Sequence, residues 1–288
     1  IATAFGTLTT LRLFASRQFW LDDASLPLAL HWPLYGYGIP VVLFLIASRL
    51  LKAAGQLKSA VSLEAISLGL AISLVSLELR VLISGGITSQ EPQLLEMATH
   101  ILTWLGAAYG LLYRQQLYSG VVAKWGARIL LGVSCLAIVV GPLLLLNPVW
   151  TNDIVRGGVL LNALILAYLA PVILIGLAAR KLSELSEKML LPALGALCLV
   201  LVMTYLTLET KRLFQGPFMV ARSLSNGENY AYSAVWLAAA LVLFLVGIRL
   251  SQKHVRYAGL GVIILVVLKV FLLDMSGLEG LLRIASFI

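Results

Sequence analysis

Six charged residues are the best candidates for chemistry in this chain, because each lies within or at the end of a long apolar run. They are Glu78, Arg80, Glu209, Arg212, Lys269 and Asp274. A charge in hydrocarbon costs several kcal/mol unless it is paired or hydrated. One hypothesis is therefore a polar site that binds an anionic or zwitterionic headgroup or substrate. The alternative is structural, with paired charges that lock helix packing and outer bases that reach the interface.

The spacing of these charges indicates how they could pair. Glu209 and Arg212 are three residues apart and can pair on one helix face. Lys269 and Asp274 are five residues apart and lie on different faces, so each is expected to find its partner on another helix.

Other reactive side chains form no recognisable catalytic or ligating motif. His31 and His100 could ligate haem or a metal, but no HxxxH or HExxH pattern accompanies them. Asp153 and Asp22, in external loops, could each be the base of an enzyme using lipid-linked sugars, although loop acids are usually solvated. Both cysteines, Cys135 and Cys198, lie in apolar runs, and we expect no metal and no cofactor. The sequence thus supplies no catalytic residue and favours a protein that is not an enzyme.

The composition identifies the elements that must position these residues. Hydrophobic residues make up 60% of the 288 residues, charged residues make up 12%, and the mean hydropathy is +0.98. Soluble domains carry about 25% charged residues, so this is an all-α polytopic membrane protein. Runs of about 20 apolar residues span a bilayer as helices, and they lack the alternation of barrel strands. About nine candidate spans occur, at 1–18, 29–52, 59–84, 98–118, 122–146, 158–182, 187–214, 230–250 and 256–275.

The distribution of bases predicts the orientation of these spans. Twelve bases and three acids lie at one set of helix ends, and basic loops are typically cytoplasmic. The loops near 52–58, 118–124, 181–187 and 251–255 are therefore predicted to be cytoplasmic, and those near 19–28, 85–97, 147–157 and 215–229 external. The net charge of +8 is explained by these loops, and no nucleic-acid partner is expected.

The sequence also repeats itself at an interval of 131–132 residues. Pro40 and Pro171 match, as do Trp104 and Trp236, and Leu77 to Gly85 returns as Leu208 to Gly216. This predicts two tandem, parallel four-helix repeats, at 29–157 and 158–279. Residues 1–28 would hold the end of a preceding helix plus an external loop, and 280–288 the start of a truncated helix. Charged residues recur in both copies. This recurrence favours the structural interpretation of the six charged residues, in which paired charges lock helix packing.

Several segments resemble a bacterial family of very large, many-helix predicted membrane proteins catalogued as a domain of unknown function. The resemblance is carried by Leu268 to Phe287, by Tyr232 to Trp236 and by Leu208 to Phe214. It is most specific over 205–288, and looser over 20–200. It implies a polytopic inner-membrane protein of the cell envelope and a longer parent chain, and it implies no catalytic residue.

Three functional hypotheses follow. The first is a transport or envelope-assembly component that binds a lipid, glycan or protein partner on its external side through the six charged residues. The second is a membrane glycosyltransferase-like enzyme that uses a lipid-linked substrate. The third is a structural scaffold subunit, with every intramembrane charge paired between helices. Membrane lipids and a protein in an envelope complex are the expected partners.

Overall fold

The computed structural model describes residues 32–84, 93–117, 120–151, 154–155, 157–158, 162–219 and 225–274. Within these residues the chain forms helices and no strand, which confirms the all-α polytopic fold class. The predicted span at 1–18 and the predicted helix start at 280–288 lie outside the described residues.

Eight helices follow one another along the described residues, close to eight of the predicted spans. They are α1 (Trp32–Ala53), α2 (Leu57–Ser84), α3 (Leu94–Leu117), α4 (Val121–Leu145), α5 (Ile165–Glu184), α6 (Leu191–Gln215), α7 (Asn226–Arg249) and α8 (Lys253–Asp274). The ends of α4 and α8 and the start of α5 are π-helical. π-helical turns are often found at functional sites.

Seven of these helices are long and apolar enough to cross a membrane, and α3 is the exception. Glu96, His100 and Arg114 lower the hydropathy of α3. Its buried stripe, Ile101, Leu105, Ala108 and Leu112, is completely inaccessible and recurs every three or four residues, as one inward face of a helix requires. The chain is therefore a polytopic membrane protein, while the predicted count of nine spans stays a prediction.

The described residues divide into two compact units. Unit 1 lies within Ile1–Pro142 and Leu177–Glu187, and unit 2 lies within Leu143–Gly176 and Lys188–Ile288. The sequence duplication and its boundaries at 29–157 and 158–279 stay a prediction.

Small residues allow close helix packing inside each unit. In unit 1, Ser67 Oγ on α2 donates to the carbonyl oxygen of Val41 on α1 at 2.9 Å. In unit 2, a Cβ added at Gly259 on α8 would lie 2.7 Å from the backbone nitrogen of Phe244 on α7. Helix association in lipid depends on such close van der Waals contact. The buried core beside this crossing contains Ala240, Val262 and Val266.

Candidate functional site

Two buried carboxylates organise the polar contacts at one end of each unit. Glu96 lies in the first turn of α3 and Glu228 in the first turn of α7, and each is 1% exposed. A buried charge is costly unless it is paired and hydrogen-bonded. Each carboxylate must therefore be held by neighbouring side chains, and those neighbours differ between the units.

In unit 1, an arginine compensates the charge of Glu96. Arg80 Nη1 on α2 lies 2.6 Å from Glu96 Oε1, and Ser84 Oγ donates to Glu96 Oε2 at 2.7 Å. His100 Nε2 is 3.7 Å from the same carboxylate. The His100 ring stacks on Trp104 with centroids 5.9 Å apart. We call these residues the Glu96 cluster.

In unit 2, neutral donors hold Glu228. Gln215 Nε2 at the end of α6 lies 3.1 and 2.9 Å from the two carboxylate oxygens, and Tyr232 Oη donates to Glu228 Oε1 at 2.6 Å. Ser225 Oγ caps α7 by accepting from the Glu228 backbone N–H at 3.1 Å. Within the described part of the chain, no base forms an ion pair with Glu228. We call these residues the Glu228 cluster.

The two clusters occupy matching positions in the predicted repeat. Glu96 and His100 become Glu228 and Tyr232 at an interval of 132, and Ser84 becomes Gln215 at 131. A second hydrogen bond recurs with them. Trp104 Nε1 donates to Ser76 Oγ at 2.9 Å, and its counterpart Trp236 Nε1 donates to Thr207 Oγ1 at 3.0 Å.

One substitution separates the clusters electrostatically. The residue that matches Arg80 in unit 2 is Lys211. Arg80 pairs with Glu96, whereas Lys211 pairs with no acid among the described residues. Unit 1 thus contains its own counter-charge, and unit 2 keeps a carboxylate and a lysine apart.

Two of the six predicted site residues, Glu209 and Arg212, lie together on α6, close to the residues that precede α5. Glu209 accepts from Asn162 Nδ2 at 3.2 and 2.9 Å and pairs with Arg212 at 3.6 Å. Arg212 also donates to the carbonyl oxygens of Gly157 and Gly158 at 2.7 and 2.9 Å. These contacts hold the start of α5 against the end of α6. The charges of Glu209 and Arg212 are satisfied within the unit, as the structural alternative requires.

The remaining predicted site residues are on α2 and α8. Arg80 belongs to the Glu96 cluster, and Glu78 lies on α2 with buried carboxylate oxygens. Lys269 Nζ on α8 donates to the backbone oxygen and Oδ1 of Asn229 at 3.1 Å each, and to Ser233 Oγ at 2.7 Å. These contacts are on another helix, α7. The side chain of Asp274 lies outside the described residues.

Within the described residues, no ligating site forms around the other sequence candidates. Asp22, His31 and Asp153 lie outside the described residues. Among those that the structure describes, no three histidine, cysteine, aspartate or glutamate side chains come together as metal ligands. Cys135 and Cys198 form no disulfide within the described residues.

The centres of both clusters, Glu96 and Glu228, were not selected from the sequence. An acid in the first turn of a helix usually interacts favourably with the helix dipole. Its position alone therefore did not indicate a functional site. The match of Glu96 to Glu228 in the repeat frame was the one sequence signal that could have identified them.

Unit 2 also contains an apolar groove among α6, α7 and α8. Its volume is about 400 Å³, within the range of small-ligand sites. It is lined by Asn147, Val149, Leu199, Val200, Met203, Thr204, Thr207, Leu208, Trp236, Val262 and Leu265. Val200 and Leu265 are 48% and 59% exposed, so the groove is open along its side.

Bases outnumber acids at the helix ends of unit 1 that are predicted to face the cytoplasm. Glu64 pairs with Lys52 and with Arg114, the second contact at 3.3 Å. Lys181 pairs with Glu184 at 2.8 Å, and Arg128 pairs with Glu187. All three acids assigned to the predicted cytoplasmic face are therefore engaged by bases.

The sequence matches the family described as "Predicted membrane protein (DUF2339)" over residues 1–288. The match covers the whole chain, and not only the C-terminal portion where the resemblance is most specific. No curated protein and no solved structure matches the chain.

Proposed function

The chain belongs to the DUF2339 family of predicted membrane proteins, and on this premise we propose that it is a transport or envelope-assembly component that binds a membrane lipid. We place it in the bacterial cytoplasmic membrane, with the Glu96 and Glu228 clusters toward the external side. Lipid is one of three ligand classes that the sequence left open, beside a glycan or a protein. The groove of unit 2 favours lipid.

The groove suits one acyl chain with a polar end. Leucine, valine and methionine dominate its lining, and its open side runs along helices that are apolar enough to lie in hydrocarbon. Asn147 and Thr204 supply the few polar groups of the lining, because Trp236 Nε1 and Thr207 Oγ1 already bond to each other. An amphipathic ligand matches this combination. Its acyl chain would pack against the apolar lining, and its polar part would bond to the hydrogen-bonding groups.

Lys211 favours an anionic headgroup. It lies four residues beyond Thr207 on α6, which places both on one helix face about one turn apart. Its ammonium group pairs with no acid within the described region, and it is half-buried. A lipid phosphate near this end of α6 would supply the missing negative charge. Glu209 and Arg212 would then hold the helix end that presents Lys211.

Lipid binding can be tested by native mass spectrometry of the full-length protein with phosphatidylglycerol and phosphatidylcholine. Val200→Trp fills the groove from its open side and should lower binding of both lipids about tenfold, or about 1.4 kcal/mol. Lys211→Gln should remove the preference for phosphatidylglycerol. Leu213→Trp is the matched control, because Leu213 is 66% exposed on the same helix and does not line the groove. Unchanged binding in Val200→Trp would refute the proposal.

The scaffold function is the second candidate, because internal contacts satisfy many of the charges. Arg80, Glu209 and Arg212 all bond within their own units. A scaffold needs no lipid in the groove, so Val200→Trp would leave both lipid binding and cellular phenotype unchanged. Neutralising Lys269 together with Asp274 in the full-length protein tests the predicted polar site separately. If stability and phenotype survive that change, these two residues are not a binding site.

A further inference from the structure

Asn147 lines the groove of unit 2 and offers a hydrogen-bond donor to a ligand. The residue is 5% exposed, and its Oδ1 accepts from the backbone N–H of Val149 at 3.1 Å. This bond fixes which side of the amide is the donor. The structure gives Nδ2 no acceptor among the described residues. Because buried polar groups are nearly always hydrogen-bonded, a ligand in the groove would need to supply that acceptor.

Thr204 is the second polar side chain of the groove that is available to a ligand. The neighbouring threonines of α6 use their hydroxyls within the helix. Thr207 Oγ1 donates to the carbonyl oxygen of Met203 at 2.7 Å, and Thr210 Oγ1 makes the same contact with Leu206 at 2.7 Å. Thr204 Oγ1 forms no corresponding bond within the described part of the chain, so its hydroxyl can donate into the groove.

The face of α6 that carries Thr204 changes from apolar to charged along the helix. Val200, Thr204, Thr207 and Lys211 are spaced by four, three and four residues, which places them on one side of the helix. Val200 and both threonines line the groove. Lys211 lies about 10 Å beyond Thr204, at a rise of 1.5 Å per residue. A glycerophospholipid presents its hydrocarbon chain, its ester linkage and its phosphate in this same order.

We propose that the groove recognises the ester linkage of a glycerophospholipid, with Asn147 Nδ2 and Thr204 Oγ1 as donors to its ester carbonyl oxygens. The inference rests on the proposed lipid-binding function and narrows its ligand class. A carbonyl oxygen has two lone pairs for such donors. An ether-linked chain has no carbonyl at this level and would leave the buried amide donor of Asn147 unsatisfied, which lowers affinity.

Native mass spectrometry of the full-length protein tests this with two phosphatidylglycerols of equal chain length, one ester-linked and one ether-linked. We expect the ester lipid to bind about tenfold more tightly, because the ether lipid leaves a buried donor unsatisfied. Asn147→Asp keeps the acceptor for the Val149 N–H and removes the donor, so the two affinities should then agree within about twofold. Thr204→Val keeps the side-chain shape and should reduce the ester preference about threefold, which provides the answer if Asn147→Asp does not fold.

Two further variants separate this inference from the function on which it rests. Thr210→Val is the matched control and should keep the full ester preference, because Thr210 is buried on the same helix and does not line the groove. If both lipids bind equally and Val200→Trp weakens both, the groove holds lipid without recognising the ester, and this proposal fails alone. If Val200→Trp changes neither affinity, the lipid-binding function itself fails. An ester preference that survives both Asn147→Asp and Thr204→Val also overturns the proposal.

Discussion

At the scale of single residues, the most informative difference is between Arg80 and Lys211. They occupy matching positions on α2 and α6 in the predicted repeat, and each precedes the buried glutamate at the start of the next helix. Arg80 forms a charge-assisted contact with Glu96, which is 2% exposed at its side chain. Removing one partner of a buried pair leaves an uncompensated charge, and this costs more than the pair contributes.

Arg80→Gln is therefore expected to lower the free energy of unfolding by about 3 kcal/mol. The double variant Arg80→Gln with Glu96→Gln should recover part of that loss, because no buried charge remains. Lys211→Gln is the matched control and should change stability by less than about 0.5 kcal/mol. Chemical unfolding in mixed micelles measures all three. Equal losses for Arg80→Gln and Lys211→Gln would show that the Arg80–Glu96 pair has no special role.

At the scale of helices, the α7–α8 crossing depends on the absence of a side chain. The backbone of α7 passes so close to Gly259 that an added Cβ would lie 2.7 Å from Phe244 N and 3.0 Å from the Ala240 carbonyl oxygen. These are backbone atoms, which cannot turn aside as a flexible side chain can. Gly261 lies two residues further along α8, and a Cβ added there would have no neighbouring atom within 4 Å.

Gly259→Ala should therefore destabilise the protein by about 1 to 3 kcal/mol, as overpacking does. Gly261→Ala should be neutral or stabilising by up to about 1 kcal/mol, because alanine favours helix more than glycine does. Thermal unfolding of the two variants in one detergent compares them directly. A similar effect of both substitutions would contradict a close crossing at Gly259.

At the scale of the whole molecule, bases exceed acids at one set of helix ends. Glu64, Glu184 and Glu187 are each engaged by bases of unit 1. The other bases assigned to that face pair with no acid in the residues that the structure describes. They are Arg49, Lys58, Lys124, Lys188, Arg249, Lys253 and Arg256. Uncompensated bases of this kind are retained on the cytoplasmic side, which supports the proposed orientation.

Labelling of single cysteines tests that orientation. Cys135 and Cys198 are first replaced by serine and alanine, and cysteine is then introduced at Ile154 or at Lys253, which are both exposed. An impermeant maleimide should label the Ile154→Cys protein in intact cells and the Lys253→Cys protein only after permeabilisation. The reverse pattern would invert the topology and place the Glu228 cluster on the cytoplasmic side.

The sequence by itself determined the membrane class and the approximate course of the helices. Backbone polar groups in hydrocarbon must be satisfied within each span, so a long apolar run has little choice but a helix. The limits of α2, α6 and α7 therefore lie within a few residues of the predicted spans. The sequence match of Trp104 with Trp236 also corresponds to two matching hydrogen bonds, one from each indole. The duplication itself stays a prediction.

Only the tertiary structure decided which polar groups meet. Glu96 lies 16 residues from Arg80, and Glu228 lies 13 from Gln215, each across a connection between helices whose packing no local pattern specifies. The six charges stay a prediction as a binding site, and the partners that the structure gives Arg80 and Glu209 are Glu96 for the first and Asn162 and Arg212 for the second. Burial also depends on neighbours in space. Helix packing therefore made Glu96 and Glu228 the centres of the polar clusters, while their sequence positions resemble ordinary first-turn acids.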